Sequence, residues 1–414
     1  MYLELLREGH EVRVYIGDPD AADTCLGLVP IVPDWQAELA WVADGIIVFE
    51  TAHHGALQDD LRRRGYRVIG GSALGDRLEC DREFGQATLR QAGMQTAAVH
   101  TFVDFAEAAA FVRRAPRRYV LKLNGAGFAS SRTYIGQRDD GRDLLSLLTW
   151  HSTRWPVQPS FVLMEHRSGV EVGVGAYFNG QAFLRPACLD WEHKRFFPGD
   201  LGELTGEMGT VATYRQSDRL FDATLARLAP ILAASGYVGY INLNTIVNAD
   251  GVWPLELTCR FGYPGYAVLR PLQTVRWSAL FTRLCSRDSL ALPTRPGYSV
   301  AVVLTVPPFP HSLGYASMGK GLPIDVSLLD ADDQDHLFWG EVAFVDGQLV
   351  TSGQVGYVGV VTGCAERVED AVRAAYRRAE NVTIPMVRYR NDIGQAFMSR
   401  DRERLIELGW LGHG

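Results

Sequence analysis

A chain of 414 residues carrying 41 Lys and Arg against 48 Asp and Glu, 47% hydrophobic residues and six cysteines has the make-up of an ordinary globular protein. Disorder, a collagen-like chain and a small disulfide scaffold are excluded, and the length predicts about two to four domains. The net charge of −7 argues against a nucleic-acid partner, because neutralising phosphates needs a basic face and the longest basic run is Arg62-Arg63-Arg64.

The cysteines (Cys25, Cys80, Cys188, Cys259, Cys285, Cys364) have no metal-binding spacing, which fits a reducing compartment. No apolar run approaches the roughly 20 residues that a membrane span needs. The best candidate, Val300 to Val306, runs into Pro307-Pro308. A cytoplasmic protein without a membrane partner is expected.

In chain order, the first segment predicts a helix at Tyr2 to Glu8, a strand at Glu11 to Tyr15, a buried strand at Gly45 to Phe49, a helix at Ala56 to Arg64 and a strand at Tyr66 to Ile69. Strand and helix in alternation predict a small parallel sheet over residues 1–80. Such a sheet normally opens on a strand, whereas this chain opens on a helix, so the first strand and its glycine loop are expected to be missing. A helix at Asp81 to Gln91 then leads into Phe102 to Arg113. Strands at Tyr119 to Asn124, Phe161 to Glu165 and Val170 to Phe178 predict an antiparallel α+β region.

A helix at Leu220 to Ala234 precedes a hairpin at Tyr237 to Arg260. Pro293 to Gly297 reads as a linker. Beyond it, strands at Ser299 to Val306, Glu341 to Val345 and Gly356 to Thr362, then a helix at Arg367 to Glu380, predict a β-rich C-terminal domain over 297–414. The fold class is therefore α/β and α+β, in several domains.

The hairpin carries the most chemistry. Along its first strand Ile241, Leu243, Thr245 and Val247 face one way, and Asn242 and Asn244 the other. A register centred on Asp250 places Asn244 opposite Glu256 and Asn242 opposite Thr258. Oxygen ligands on adjacent strands are what a hard cation bridging phosphates requires. The same pattern also describes a solvent-exposed face of hydrogen-bonded polar pairs.

Lys122 lies amid apolar residues and is followed by the small-residue loop from Gly125 through Ser130 to Ser131, whose amides could approach phosphate oxygens. A glycine-rich turn after a strand is also commonplace. Glu165, with His166 beside it, and Glu171 could accept an adenine amino group and a ribose diol, or could be strand-end charges. The long loop from Asp190 to Thr210 combines His193, Lys194 and Arg195 with Asp200 and four glycines, a composition suited to an anionic substrate or to a flexible insertion.

Six strings in order resemble the glycinamide ribonucleotide synthetase family of the ATP-grasp superfamily: LECDREFGQATL from Leu78, VLKLNGAGFASS from Val120, LMEHRSGVEV from Leu163, EHKRFFPGDLGELTGEMG from Glu192, PLELTCRFGYPG from Pro254 and VRYRNDIG from Val387. The resemblance implies an N-terminal pre-ATP-grasp domain (1–80), an ATP-grasp domain (81–292) with a lid at about 98–172, and the C-terminal domain. It implies that Lys122, Arg82, Gly125 and Ser130 hold ATP phosphates, Glu165 and His166 meet adenine, and Glu171 meets ribose.

Glu256, with Thr258 and Asn244, is implied to bind Mg²⁺ or Mn²⁺. Arg260, Lys194 and Arg195 are implied to stabilise the reacting groups, and His193, Asp200, Thr205, Gly206, Met208 and Gly209 to contact substrate. The expected activity is ATP-dependent joining of a carboxylate to an amine through an acyl phosphate, with glycine and phosphoribosylamine as the leading pair and a monomer or homodimer as the assembly. A ligase for another amino acid and amine, or a nucleotide-binding relative without catalysis, is the alternative. Departures from the family pattern fall at Arg82 and Thr258, and on the acceptor side at Leu204 and Tyr263-Pro264-Gly265.

Overall fold

A computed structural model describes residues 1–124, 133–155, 159–287 and 291–412. Its strands in chain order are β1 (Ile46–Val48), β2 (Arg67–Ile69), β3 (Val99–Phe102), β4 (Tyr119–Leu123), β5 (Tyr134–Ile135), β6 (Phe161–Glu165), β7 (Val170–Asn179), β8 (Cys188–Glu192), β9 (Arg195–Phe197), β10 (Leu201–Leu204), β11 (Gly209–Thr213), β12 (Val238–Asn248), β13 (Gly251–Thr258), β14 (Tyr298–Thr305), β15 (Pro323–Ile324), β16 (Leu337–Trp339), β17 (Val342–Val345), β18 (Gln348–Thr351) and β19 (Tyr357–Ala365). Among the described residues no helix is long and apolar enough to cross a membrane.

The N-terminal segment pairs β1 and β2 in parallel across the helix Gly55–Arg63, as strand and helix in alternation predict. Two expected features differ. Glu11 to Tyr15 forms only a single bridge, Val14 to Ile31, because Val14 alone is buried there while Glu11 and Arg13 pair with each other at the surface. β1 is half-buried rather than buried, since a sheet of two strands covers little of its own surface.

A second sheet has the antiparallel order β3-β6-β4-β5 and is backed by the helices Phe105–Arg114 and Arg142–Ser152. Phe105, Tyr119, Leu121, Leu144, Phe161 and Leu163 form its own apolar core. The two-residue period of β4 points Tyr119, Leu121 and Leu123 at those helices and leaves Lys122 on the opposite face.

The largest sheet is antiparallel, with order β13-β12-β7-β8-β11-β14-β19-β16. β14 pairs with β11, so the region after Pro293 continues the same sheet as the region before it. Ten successive residues of β12, Val238 to Val247, are buried. Asn242 and Asn244 are therefore interior polar groups, not an exposed face.

The helix expected over Leu220 to Ala234 is broken into Asp218–Ala223, a tight turn at Leu225–Leu228 and Ala229–Ser235. Pro230 supplies the reason: it has no N–H for the preceding turn and crowds the carbonyl four residues back.

The β12/β13 hairpin pairs Asn244 with Glu256 and Asn242 with Thr258, as expected, although by a different route. At the turn Asn248 pairs with Gly251, and a bulge between Pro254 and Glu256 shifts the register by one residue. Proline cannot donate to the ladder, so a bulge is favoured beside it. The carbonyl of Leu255 takes a hydrogen bond from the Gln86 amide at 2.8 Å, which ties the helix Arg82–Gln91 to the bulge.

Candidate active site

Lys122 and Glu256, 134 residues apart, meet in one cleft: Lys122 Nζ donates to Glu256 Oε2 at 3.0 Å. Lys194 Nζ donates to Glu256 Oε1 at 3.2 Å and to Glu171 Oε1 at 2.8 Å, and it stands 3.2 Å from Glu192 Oε2. Lys122, then Lys194, and more weakly Arg82 hold the Glu256 carboxyl far below the usual carboxylate range, so Glu256 is an anion. Burial alone would lower the Lys194 pKa, but Glu171, Glu192 and Glu256 outweigh it and drive the net shift well upward.

Arg82 enters the cleft because Asp81 caps the helix behind it, accepting from the Phe84 amide at 3.0 Å. Arg82 Nη1 is buried without a hydrogen-bond partner. Arg260 is tied to Glu79 Oε1 at 3.0 Å.

These groups line a cavity of about 730 Å³ between the β3–β6 sheet and the β12/β13 end of the large sheet. Val99, Val162, Met164 and Leu89 provide an apolar wall, while Lys122, Lys194, Arg82, Asn244, Glu256 and Thr258 provide the polar one. Asn244 Nδ2 donates to Glu192 Oε2 at 3.0 Å and its Oδ1 has no partner. Among the described residues there is no cluster of three or more His, Cys, Asp or Glu arranged to hold a metal ion. An oxygen-only set of one carboxylate and one amide suits a cation that takes its remaining ligands from phosphates and water.

The segment after β8 is not a loose insertion. β9 and β10 form an antiparallel hairpin, and Thr205 donates to the Lys194 carbonyl from both its N–H, at 2.7 Å, and its hydroxyl, at 2.9 Å. Met208 packs with Phe196 and Phe309. Gly206 lines the cavity, whereas Met208 and Gly209 serve the hairpin base, where His193 N–H donates to the Gly209 carbonyl at 2.9 Å.

Several expected site residues face elsewhere. His193 is buried, with Nδ1 3.3 Å from the Gly209 carbonyl and Nε2 accepting from the Gly394 amide. Arg195 donates to the Gly202 carbonyl. Asp200 accepts from Arg390, which also grips Asp392 at 2.7 Å. Glu165 is held by Arg117 and Arg167, and His166 lies outside the cavity lining. Gly125 and Ser130 lie outside the described residues.

Four acidic cavity groups are not singled out from the sequence: Glu79, Asp190, Glu192 and Glu207. Asp190 and Glu192 alternate along β8 and so share a face, which was the available signal. Glu207 follows a glycine in a segment with no readable period.

Residues 80–266 match the model for the phosphoribosylglycinamide synthetase ATP-grasp (A) domain. That stretch, a little under half of the chain, is similar to the ATP-grasp domain of the phosphoribosylglycinamide synthetases. Proteins similar to the chain along most of their length include the phosphoribosylamine–glycine ligase of Ralstonia nicotianae, 25% identical over 352 residues, covering 83% of this chain and 81% of the relative. That of a Synechocystis strain is 28% identical over 351 residues, covering 82% and 80%.

Among solved structures, the phosphoribosylamine–glycine ligase of Thermotoga maritima superposes with a TM-score of 0.73 at 23% identity, covering 94% of this chain and 96% of that one. The N5-carboxyaminoimidazole synthetase of Staphylococcus aureus complexed with ADP gives 0.58 at 13% identity, covering 91% and 93%. Both likenesses show the fold alone.

Proposed function

We propose that the chain is an ATP-dependent carboxylate–amine ligase of the phosphoribosylamine–glycine ligase type. The observation that carries this is the convergence of Lys122 and Lys194 on Glu256 inside one cavity, with Arg82 beside them. No nucleophile is needed from the protein. A substrate carboxylate oxygen attacks the γ-phosphorus and ADP leaves. The amine nitrogen then attacks the acyl carbon, inorganic phosphate leaves and the amide forms.

Negative charge gathers on the transferring phosphoryl group, and fixed cations aimed at it are the main source of acceleration. Lys122 and Arg82 would hold the phosphates. Lys194 would steady the reacting carboxylate, and Arg260, held by Glu79, stands at the acceptor end. The apolar wall of Val99, Val162, Met164 and Leu89 would take the purine ring. Glu171, on β7 and bonded to Lys194, would serve the ribose, whereas Glu165 and His166 stand outside the cavity lining. The β3–β6 sheet would act as the lid over the bound nucleotide.

Glu256 and Asn244 Oδ1, with Thr258 alongside, would hold Mg²⁺. That ion would supply Lewis-acid charge at the phosphates. His193, Arg195 and Asp200 support this reading only indirectly, by shaping the hairpin that presents Lys194, Thr205 and Gly206.

The test is ADP release from Mg²⁺-ATP with glycine and freshly prepared phosphoribosylamine, against other pairs of amino acid and amine. Turnover with the first pair supports the assignment. Turnover only with another pair moves the substrates and keeps the chemistry, and nucleotide binding with no turnover from any pair overturns the ligase.

A further inference from the structure

One end of the cavity is lined by acceptor oxygens that nothing satisfies. Asp190 Oδ1, Glu207 Oε1, Asn242 Oδ1 and Thr210 Oγ1 are all buried without a hydrogen-bond partner. All four side chains line the same cavity, at 6%, 8%, 8% and 3% exposure. Asp190 is fixed by the Asn242 amide, whose Nδ2 donates to Asp190 Oδ2 at 2.6 Å, leaving both free oxygens in place.

The sheet is cleared for this group. A Cβ on Gly173 would sit 2.0 Å from Asp190 Oδ1, and one on Gly175 would sit 1.8 Å from the Tyr240 hydroxyl and 3.1 Å from Asn242 Nδ2. Two glycines at alternate positions of β7, facing Asp190 and Asn242 across the ladders, leave this space on one face.

Resting on the ligase reading above, we infer that this end of the cavity is a subsite for an alkylammonium group on one of the substrates, held by Asp190, Glu207 and Asn242. An ammonium brings three donors and no acceptor, the complement of these oxygens. The protein's own nearby cation, Lys194, is already engaged by Glu171, Glu192 and Glu256. A metal is the poorer occupant, because no cluster of three ligating His, Cys, Asp or Glu exists among the described residues.

Burial pushes both carboxyls up, with Glu192 adding to the rise. An incoming cation favours their ionised form. The nitrogen that attacks an acyl phosphate must be uncharged, so the ammonium held here is a non-reacting one: the α-ammonium of an amino acid, or a second nitrogen of the amine.

Calorimetric titrations of the full chain loaded with MgADP test this with two matched pairs of probes, glycine against acetate and propylamine against propanol. The expectation is a preference of about tenfold or more for the ammonium probe in at least one pair. A preference for glycine places the group on the carboxylate substrate, and one for propylamine places it on the amine. Glu207→Gln and Asp190→Asn should each reduce that preference about tenfold while MgADP affinity, which also reports folding, stays within about threefold of wild type.

Equal binding within both pairs, or a preference that survives both substitutions, overturns the subsite and leaves the ligase reading intact. Binding of Mn²⁺ without nucleotide that disappears in Glu207→Gln also overturns it, in favour of a metal. Failure of the wild-type chain to bind MgADP removes the ligase reading and this inference together.

Discussion

Replacing Glu256 by Gln keeps the shape of the side chain and removes one negative charge that two lysines share. At the observed 3.0 Å, a unit pair is worth about 5 kcal/mol at an effective dielectric of about 20 and about 1.4 kcal/mol in bulk water. The Glu256 side chain is 41% exposed, so solvent screening brings the pair toward the lower figure. The amide oxygen of Gln also retains one hydrogen bond to a lysine. A loss of about 1 to 2 kcal/mol in folding stability follows, within the ordinary range for single substitutions.

Turnover should respond far more strongly. A fixed charge at the phosphoryl group is worth about 10²- to 10³-fold in kcat, and in the Glu256→Gln variant the oxygen expected to hold the cation loses its charge. ADP release under saturating Mg²⁺-ATP measures the second quantity, and thermal unfolding the first. Turnover within a few-fold of wild type, or a variant that fails to fold, would overturn this role for Glu256.

Three other substitutions follow from the same geometry. Lys194→Met leaves Glu171 and Glu192 without their shared cation and Glu256 with Lys122 alone, and because Glu171 and Glu256 are 41% exposed, urea unfolding should show a cost of about 1 to 2 kcal/mol, more than for Lys122→Met. Gly173→Ala drives a methyl into Asp190 and should cost about 1 to 3 kcal/mol by the same measurement. Glu207→Gln tests the buried acid through pH. The folded chain keeps a proton on Glu207 that the unfolded chain has shed, so stability falls as pH rises above the ordinary carboxylate range until the folded group ionises. The Gln variant should lose that slope and be more stable than wild type near neutral pH, as read from unfolding midpoints across the pH series.

Much of the polar constellation was legible because it sits on strands. A period of two, applied to the hairpin and to β4, puts Asn244 opposite Glu256 and turns Lys122 away from its apolar neighbours. Which strands lie side by side is not a local property. The burial of Asn242 and Asn244 depends on β7 lying beside β12 and β8 beyond it, where Asp190 and Glu192 take the two amides, so a face that looks solvated from the sequence is interior.

The contact of Arg390 with Asp200 spans 190 residues and leaves no periodic trace, which is why Asp200 reads as a substrate group from its loop alone. Asp190 and Glu192 carry the alternation of a strand, masked by the glycine-rich stretch that follows them. The break ahead of Pro230 was available from proline chemistry, and the apolar spacing around it suggested continuity instead.

The ligase reading stands on a nucleoside triphosphate binding between Lys122 and Glu256. A crystal structure of the chain with Mg²⁺ and a non-hydrolysable ATP analogue decides the matter. Phosphate oxygens should lie within hydrogen-bond distance of Lys122 Nζ, with the cation on the Glu256 carboxylate and the direct contact between those two side chains opened. Nucleotide bound elsewhere, with the Lys122–Glu256 pair still closed, would rule that binding mode out.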